Sequence, residues 1–311
     1  MTDSSTALKA IVQNIETVII GKREVVELVV LCFVCGGHVL IEDVPGVGKT
    51  SLVSALAKSV DCGFGRIQFT PDVMPSDVTG FSIFNQKTRE FEFRPGAVMS
   101  NIILADEINR ASAKTQSSLL EAMEERQITV DGETRTLPEP FMVLATQNPL
   151  ESFGTYPLPE AQVDRFLIKT GIGYPSFEQE IAVVELGDRG RDTIAPVVTG
   201  ADVLSLRAAA DAVRIDPKVT GYIVEIVAAT RSHADIRIGA SPRGSIALHR
   251  LAKVWALYSG RGYVIPDDVK RLAPFVLAHR IALTQEARLA GRTPVQVVGD
   301  ILGSVVVPVE R

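Results

Sequence analysis

The chain of 311 residues is 46% hydrophobic, 22% charged and 6% aromatic, and its 32 Lys and Arg stand against 37 Asp and Glu for a formal net charge of -5. This is globular composition, which excludes disordered and fibrous classes, and the acidic balance argues against a surface that grips phosphate backbones along its whole extent. The length exceeds what one small core organises and predicts a main domain with a second one attached.

The opening residues, MTDSSTALKA, are acidic and polar where an export signal needs a basic start and an apolar run, so no signal is expected. The most apolar stretch, residues 25–41, is interrupted by Glu27, Gly36, Gly37 and His38 and is too short to cross a bilayer. Three cysteines, Cys32, Cys35 and Cys62, cannot all pair within one chain, which suits a reducing cytoplasm. Cys32 and Cys35 form a CxxC with no second half for a zinc site. They sit in an apolar run of helical length ending at Gly36-Gly37, so both read as buried core thiols.

Apolar runs of strand length recur at residues 38–41, 66–69, 102–105, 141–145 and 166–172, with helical patterns such as 50–60 and 113–125 between most of them. Strands alternating with helices predict a parallel sheet covered on both faces. Two segments break the alternation, residues 80–100 and residues 128–137, and both read as β-hairpins. The second turns at Asp131-Gly132, a pair that tolerates the positive φ values of a two-residue turn. In the first, Phe91 and Phe93 fall on one face. Residues 186–200 are rich in Gly, charge and Pro and mark a domain boundary, which divides the chain into residues 1–190 and 191–311. Beyond it strand signals stop, and helices are expected at 202–213, 217–232, 242–259 and 266–279, a small all-helical bundle.

The segment His38-Val-Leu-Ile-Glu-Asp-Val-Pro-Gly-Val-Gly-Lys-Thr50 is a buried strand running into a Gly-rich turn and then a helix, the context of a phosphate-binding loop. Pro45, Gly46, Val47, Gly48, Lys49, Thr50 and Ser51 make up the cofactor-binding stretch. Gly46 and Gly48 turn backbone N–H groups toward phosphates, Lys49 reaches the β- and γ-phosphates, and the Thr50 hydroxyl ligates magnesium at a helix N-terminus. Asp43 replaces the first glycine of the pattern, and because it lies at the strand end its carboxylate is expected to turn away from the ligand.

Residues 102–105 run into Asp106 and Glu107. Paired with the loop, Asp106 is expected to hold magnesium and Glu107 to polarise the water that attacks the γ-phosphate. A further apolar strand ends at Asn148, which reads as a turn residue before Pro149 or as an amide that orients the attacking water; the two preceding motifs favour the amide. Arg165, in Asp164-Arg165-Phe166, reads either as a solvated cation or as an arginine finger offered to a neighbouring subunit's γ-phosphate. Ser241-Pro242 reads as an N-cap and first helical position, so Arg243 sits in a first turn where a cation opposes the helix dipole; a triphosphate, or else a nearby carboxylate, would account for it.

With these residues in hand, the chain resembles the MoxR branch of the AAA+ ATPases over nearly its full length. The resemblance extends to Phe69-Thr-Pro-Asp-Val-Met-Pro-Ser-Asp-Val-Thr-Gly80, Ala145-Thr-Gln-Asn-Pro149, Pro159-Glu-Ala-Gln-Val-Asp-Arg-Phe166, Gly239-Ala-Ser-Pro-Arg243 and Pro266-Asp-Asp-Val269. It implies an α/β AAA+ P-loop core with inserted hairpins followed by a helical lid, with ATP and Mg2+ as cofactors. It also implies Asn148 as sensor 1, Arg165 as the arginine finger, Arg243 as sensor 2, in its own subunit or the neighbour's, and Ile20 and Gly21 at the adenine pocket. The same resemblance implies a homo-oligomeric ring, usually hexameric, with both hairpins facing its centre. It further implies chaperone-like work on a protein client, with a von Willebrand factor A domain protein as the expected partner. The alternative is a nucleic-acid motor of the helicase kind. Against it stand the acidic charge and hairpins in which Arg89, Arg94 and Arg135 are interleaved with Glu90, Glu92 and Glu133. A non-hydrolysing nucleotide switch is disfavoured by Glu107 and Arg165.

Overall fold

The computed structural model describes residues 2–148, 155–187 and 194–308. Two helices, α1 (Thr2–Glu16) and α2 (Arg23–Val34), lead into β1 (Val39–Glu42), α3 (Lys49–Ser59) and β2 (Phe64–Gln68). A short α4 (Pro75–Thr79) then opens the first hairpin, β3 (Gly80–Asn85) and β4 (Glu90–Pro95), which is followed by β5 (Ile102–Asp106) and α5 (Ala113–Glu125). The second hairpin, β6 (Gln127–Val130) and β7 (Glu133–Thr136), precedes β8 (Met142–Gln147), α6 (Glu160–Val163), β9 (Ile168–Thr170) and α7 (Phe177–Leu186).

Strands β1, β2, β5, β8 and β9 form one parallel sheet in the order β2-β5-β8-β1-β9. Alternation along the strands explains why they read as continuous apolar runs, since both faces are covered. Val39 and Ile41 of β1, Ile102 and Leu104 of β5, and Met142 and Leu144 of β8 join one buried cluster with α1, α2 and α3. Leu40, Ile103, Ala105, Val143 and Ala145 point to the other face and join a second cluster with α5.

The helical part comprises α8 (Gly200–Asp211), α9 (Pro217–Ser232), β10 (Ile236–Ile238), α10 (Pro242–Tyr258), α11 (Pro266–Leu277), β11 (Ala282–Leu283), α12 (Gln285–Leu289) and α13 (Pro294–Ser304). The four expected helices are present. The expectation that strands stop entirely needs one correction, because β10 and β11 pair as an antiparallel ribbon; strands of two and three residues are too short to carry a period. Part of the expected boundary, residues 188–193, lies outside the described residues. The lid is not a detached bundle, for its buried residues continue the cluster built by α1 to α3. Glu27, buried in α2, accepts from Arg23 Nε at 2.9 Å and from Tyr258 Oη at 2.8 Å, which ties the first helices to α10.

Both hairpins form where expected, with β3 and β4 in register from Gly80↔Pro95 to Asn85↔Glu90 and β6 paired with β7. The expected Phe91–Phe93 face is only half available. Phe91 is 75% exposed and meets Phe84 of the facing strand edge to face, whereas Phe93 packs against the second cluster and lies 4.2 Å below the Arg135 guanidinium of the other hairpin. The exposed apolar pair on that face is therefore Phe84 and Phe91.

Cys32 and Cys35 are buried in α2 and its end, and burial pushes the Cys35 thiol up to about 11 and Cys32 well above its ordinary value. Thiols held protonated in this way are poor nucleophiles and metal ligands.

Candidate active site

The C-terminal ends of three neighbouring strands carry the sequence motifs to one edge of the sheet, where parallel α/β folds place ligands. The phosphate loop leaves β1 and enters α3. Gly46 and Gly48 have φ values of 86° and 92°, and a Cβ at either would meet nothing within 4 Å, so backbone conformation rather than crowding selects glycine. The Lys49 ammonium donates to the carbonyl oxygens of Asp43 and Val44 at 3.0 and 3.2 Å. Asp43 does turn away from the loop's interior. Its carboxylate is buried and accepts from the backbone N–H groups of Val44 at 2.8 Å, Ile172 at 2.5 Å and Gly173 at 2.7 Å, which clamps the strand end to the segment after β9.

Pro45, Gly46, Gly48, Lys49, Thr50 and Ser51 line a cavity of about 380 Å³ whose other wall is Arg66, Gln68, Asp106 and Glu107. The loop and the acidic strand end are thus brought together although β8 separates β1 from β5 in the sheet. Asp106 accepts from Arg66 at 2.8 Å and from Thr146 Oγ1 at 2.7 Å. Glu107 stands in the left-handed region at φ 57°, uncommon outside glycine, and a 3-10 turn begins just after it. Its carboxylate pairs with Arg110 at 2.9 Å.

The fully buried Thr146 hydroxyl explains how these two acids are held, because it donates to Asp106 and accepts the Glu107 backbone N–H at 2.8 Å. Thr146→Val keeps the shape and removes both bonds. Turnover is expected to fall on the order of tenfold or more with nucleotide affinity retained, and Thr146→Ser, which keeps the hydroxyl, is expected to stay near wild type. Equal rates in all three proteins, or loss of nucleotide binding in the Val variant, would contradict this positioning role. Asn148 follows β8 directly and is buried beside these groups in sequence; Pro149 lies outside the described residues.

Gly21 has φ 71° and lies against the Gln179 side chain, whose Nε2 donates to the Gly21 carbonyl at 3.3 Å. Val18, at the start of the same turn, shares a small cavity of about 160 Å³ with Thr50 and Ser51. The turn that contains half-buried Ile20 therefore runs beside the loop-bearing helix.

Arg165 and Arg243 are brought together elsewhere. Both pair with Glu124 at the end of α5, Arg165 at 3.0 Å. With Arg126, Arg207, Arg250 and Arg280 they line a cavity of about 450 Å³ that also includes Gly36, Gly37 and His38, the entry to β1. The phosphate loop begins at the other end of that strand. Five residue steps of extended chain run from His38 to Asp43, on the order of 15 Å. Burial and the charges of Arg207 and Arg250 lower Arg126 to about 10, and burial lowers Arg280 to about 10. His38 is held neutral at about 3 by burial and the Arg126 charge, with Nδ1 accepting the Val143 N–H at 3.0 Å.

Asp164 joins the Arg165 segment to the lid. It accepts from Arg280 Nε at 2.8 Å and from the Ser241 hydroxyl at 2.8 Å, and Ser241 is the N-cap of α10, accepting the Arg243 N–H at 3.1 Å. The carboxylate alternative for Arg243 is met by Glu124 in the single chain. Thr146 carried a signal in the sequence, a hydroxyl inside an apolar strand two residues before Asn148. Arg66, Glu124 and Asp164 carried none that separates them from ordinary surface charges.

Residues 38–168 match the model of the ATPase family associated with various cellular activities (AAA), and residues 228–301 match an AAA lid domain. The chain is 54% identical to the uncharacterized protein YeaC of Bacillus subtilis over 96% of this chain and 94% of that protein. It is 41% identical to the chaperone MoxR1 of Mycobacterium tuberculosis, over 97% of this chain and 82% of that one. A crystal structure of a protein assigned as an ATPase from Cytophaga hutchinsonii superposes with a TM-score of 0.93 at 41% identity, covering 99% of this chain and 96% of that one.

Proposed function

Because the chain belongs to the MoxR family of AAA+ ATPases and is therefore an ATP hydrolase, we propose that it hydrolyses ATP with magnesium at sites completed between neighbouring copies, and that this work remodels or matures protein clients. The observation that carries the proposal is the separation of Arg165 and Arg243 from the phosphate loop of the same chain, at opposite ends of β1. Neither guanidinium serves its own loop from there. A head-to-tail contact would bring both to the next copy's γ-phosphate, and such contacts close into rings, here of six copies on the family's habit.

Each group then has a task. Lys49 neutralises the β- and γ-phosphates, Glu107 polarises the attacking water, and Asn148 orients it. The donor set suits magnesium, since Thr50 and Asp106 offer only oxygens into the cavity that the loop lines. Magnesium held there supplies charge neutralisation on the phosphates. Ile20 and Gly21 are assigned to the adenine. The reducing cytoplasm is the proposed location, and no helix among the described residues is long and apolar enough to cross a membrane.

The client surface is assigned to the hairpins. Phe84 and Phe91 are exposed together, with Glu90 beside them and Arg135 paired to Glu133, a mixed surface that suits protein better than a phosphate backbone. Proteins retained by ATP-bound Glu107→Gln, a von Willebrand factor A domain protein being the expected kind, should be released when Phe84 and Phe91 are also changed to Ala. Basal hydrolysis of a Phe84→Ala/Phe91→Ala protein should stay near wild type. Severalfold stimulation by DNA that weakens steeply with salt would favour the nucleic-acid motor instead.

A further inference from the structure

Helix α7 leaves one side uncovered. At 100° per residue, Gln179, Ala182 and Leu186 fall on one side, and these are its partly covered residues, with Gln179 bonded to Gly21. Phe177, Ile181 and Val184 fall on the other side at the i, i+4, i+7 spacing of a packing stripe and are 76%, 45% and 76% exposed. No residue of α7 is buried in the single chain. Glu178, Glu180 and Glu185 flank the stripe, and the helix has no Lys or Arg. A stripe of this kind is apolar surface that a lone soluble copy has no reason to present.

Its place says what covers it. Helix α7 follows β9 at the phosphate-loop edge of the sheet and touches the turn carrying Gly21, whereas the arginine cavity lies at the strands' other ends. On that opposite side α10 presents Ile246, 58% exposed, between Arg243 and Arg250 three residues before it and four after. One surface is an apolar stripe with acidic flanks. The other is an exposed isoleucine at a cavity whose six arginines outnumber its two acids, Glu124 and Asp164, so its rim stays basic although Arg243 is paired to Glu124. The two lie at the edges that a head-to-tail contact joins.

We infer that the Phe177, Ile181 and Val184 face of α7 is an interaction surface for a second copy of this chain, seated on the Ile246 face of the neighbour's α10. The inference rests on the trans-completed site proposed above. It adds the apolar contact that holds the neighbour's Arg243 helix over the nucleotide edge, so assembly and turnover depend on a surface that touches no phosphate.

Changing Phe177, Ile181 and Val184 together to Ser tests it in the full chain. In a Glu107→Gln background with ATP and magnesium, sedimentation should show half-assembly at a concentration raised tenfold or more, while the thermal midpoint of the dilute monomer stays unchanged because these side chains are exposed there. Val184→Lys and Ile246→Glu should each weaken assembly, and the double variant should recover part of the loss by pairing the new charges across the contact. Assembly of the triple variant at the wild-type concentration, or a double variant no better than the weaker single one, overturns the assignment. Mixing Arg165→Ala with Lys49→Ala subunits separates the two claims. Restored turnover in that mixture together with wild-type assembly of the triple variant would discard this surface and leave the trans site standing.

Discussion

Replacing Lys49 with Ala is expected to weaken ATP binding at least a hundredfold, whereas Glu107→Gln is expected to bind ATP at near wild-type affinity and hydrolyse it on the order of a hundredfold or more slowly. The two side chains face one cavity, yet the proposed mechanism assigns them to different stages. Lys49 is the cation of the phosphate loop, and its ammonium already sits on the loop's own carbonyls of Asp43 and Val44, so its loss removes charge complementarity to the bound triphosphate. Glu107→Gln keeps size and shape and removes only the charge needed to draw a proton from water. Nucleotide-binding fluorescence and phosphate release, measured on the same preparations, separate these outcomes. Equal loss of binding in both variants would contradict the roles assigned to them.

The fold and the nucleotide edge were legible because each has a local sequence signal. The phosphate loop is contiguous, its glycines are demanded by positive φ, and the strands that flank it are unbroken apolar runs. Asp43 could be read as facing away because strand geometry fixes where the loop begins, and its three backbone partners bear this out. The small β10 and β11 ribbon escaped, since strands of two and three residues have no readable period. Phe93 was placed on the right side of its strand, but alternation says nothing about the Arg135 of another hairpin that covers it. Thr146 was passed over inside an apolar run, although a hydroxyl there must find partners, and it finds Asp106 and Glu107. The grouping of Arg165 with Arg243 on Glu124 joins residues from three distant segments, and only the folded chain brings them together.

The placement of these two arginines leads to the second large effect. Arg165→Ala alone is expected to lose turnover on the order of a thousandfold or more while still binding ATP, because its phosphate loop is intact and the cation that stabilises the transferring phosphate is gone. Arg165 sits at the arginine cavity, beside the entry to β1 and away from its own phosphate loop, so the proposed trans site assigns it to the loop of the next copy. Asp164, held by Arg280 and bonded to Ser241 at the start of the Arg243 helix, ties the Arg165 segment to that helix.

Turnover of mixed rings measures this directly. Arg165→Ala subunits retain the loop and lack the finger; Lys49→Ala subunits retain the finger and lack a working loop. In a random equal mixture, about a quarter of head-to-tail interfaces combine an intact loop with an intact finger. The trans-completed site predicts that the mixture recovers about that share of wild-type phosphate release per subunit while each variant alone is nearly inactive. A mixture no more active than the sum of its parts, or an Arg165→Ala monomer that turns over at the wild-type rate, would contradict it.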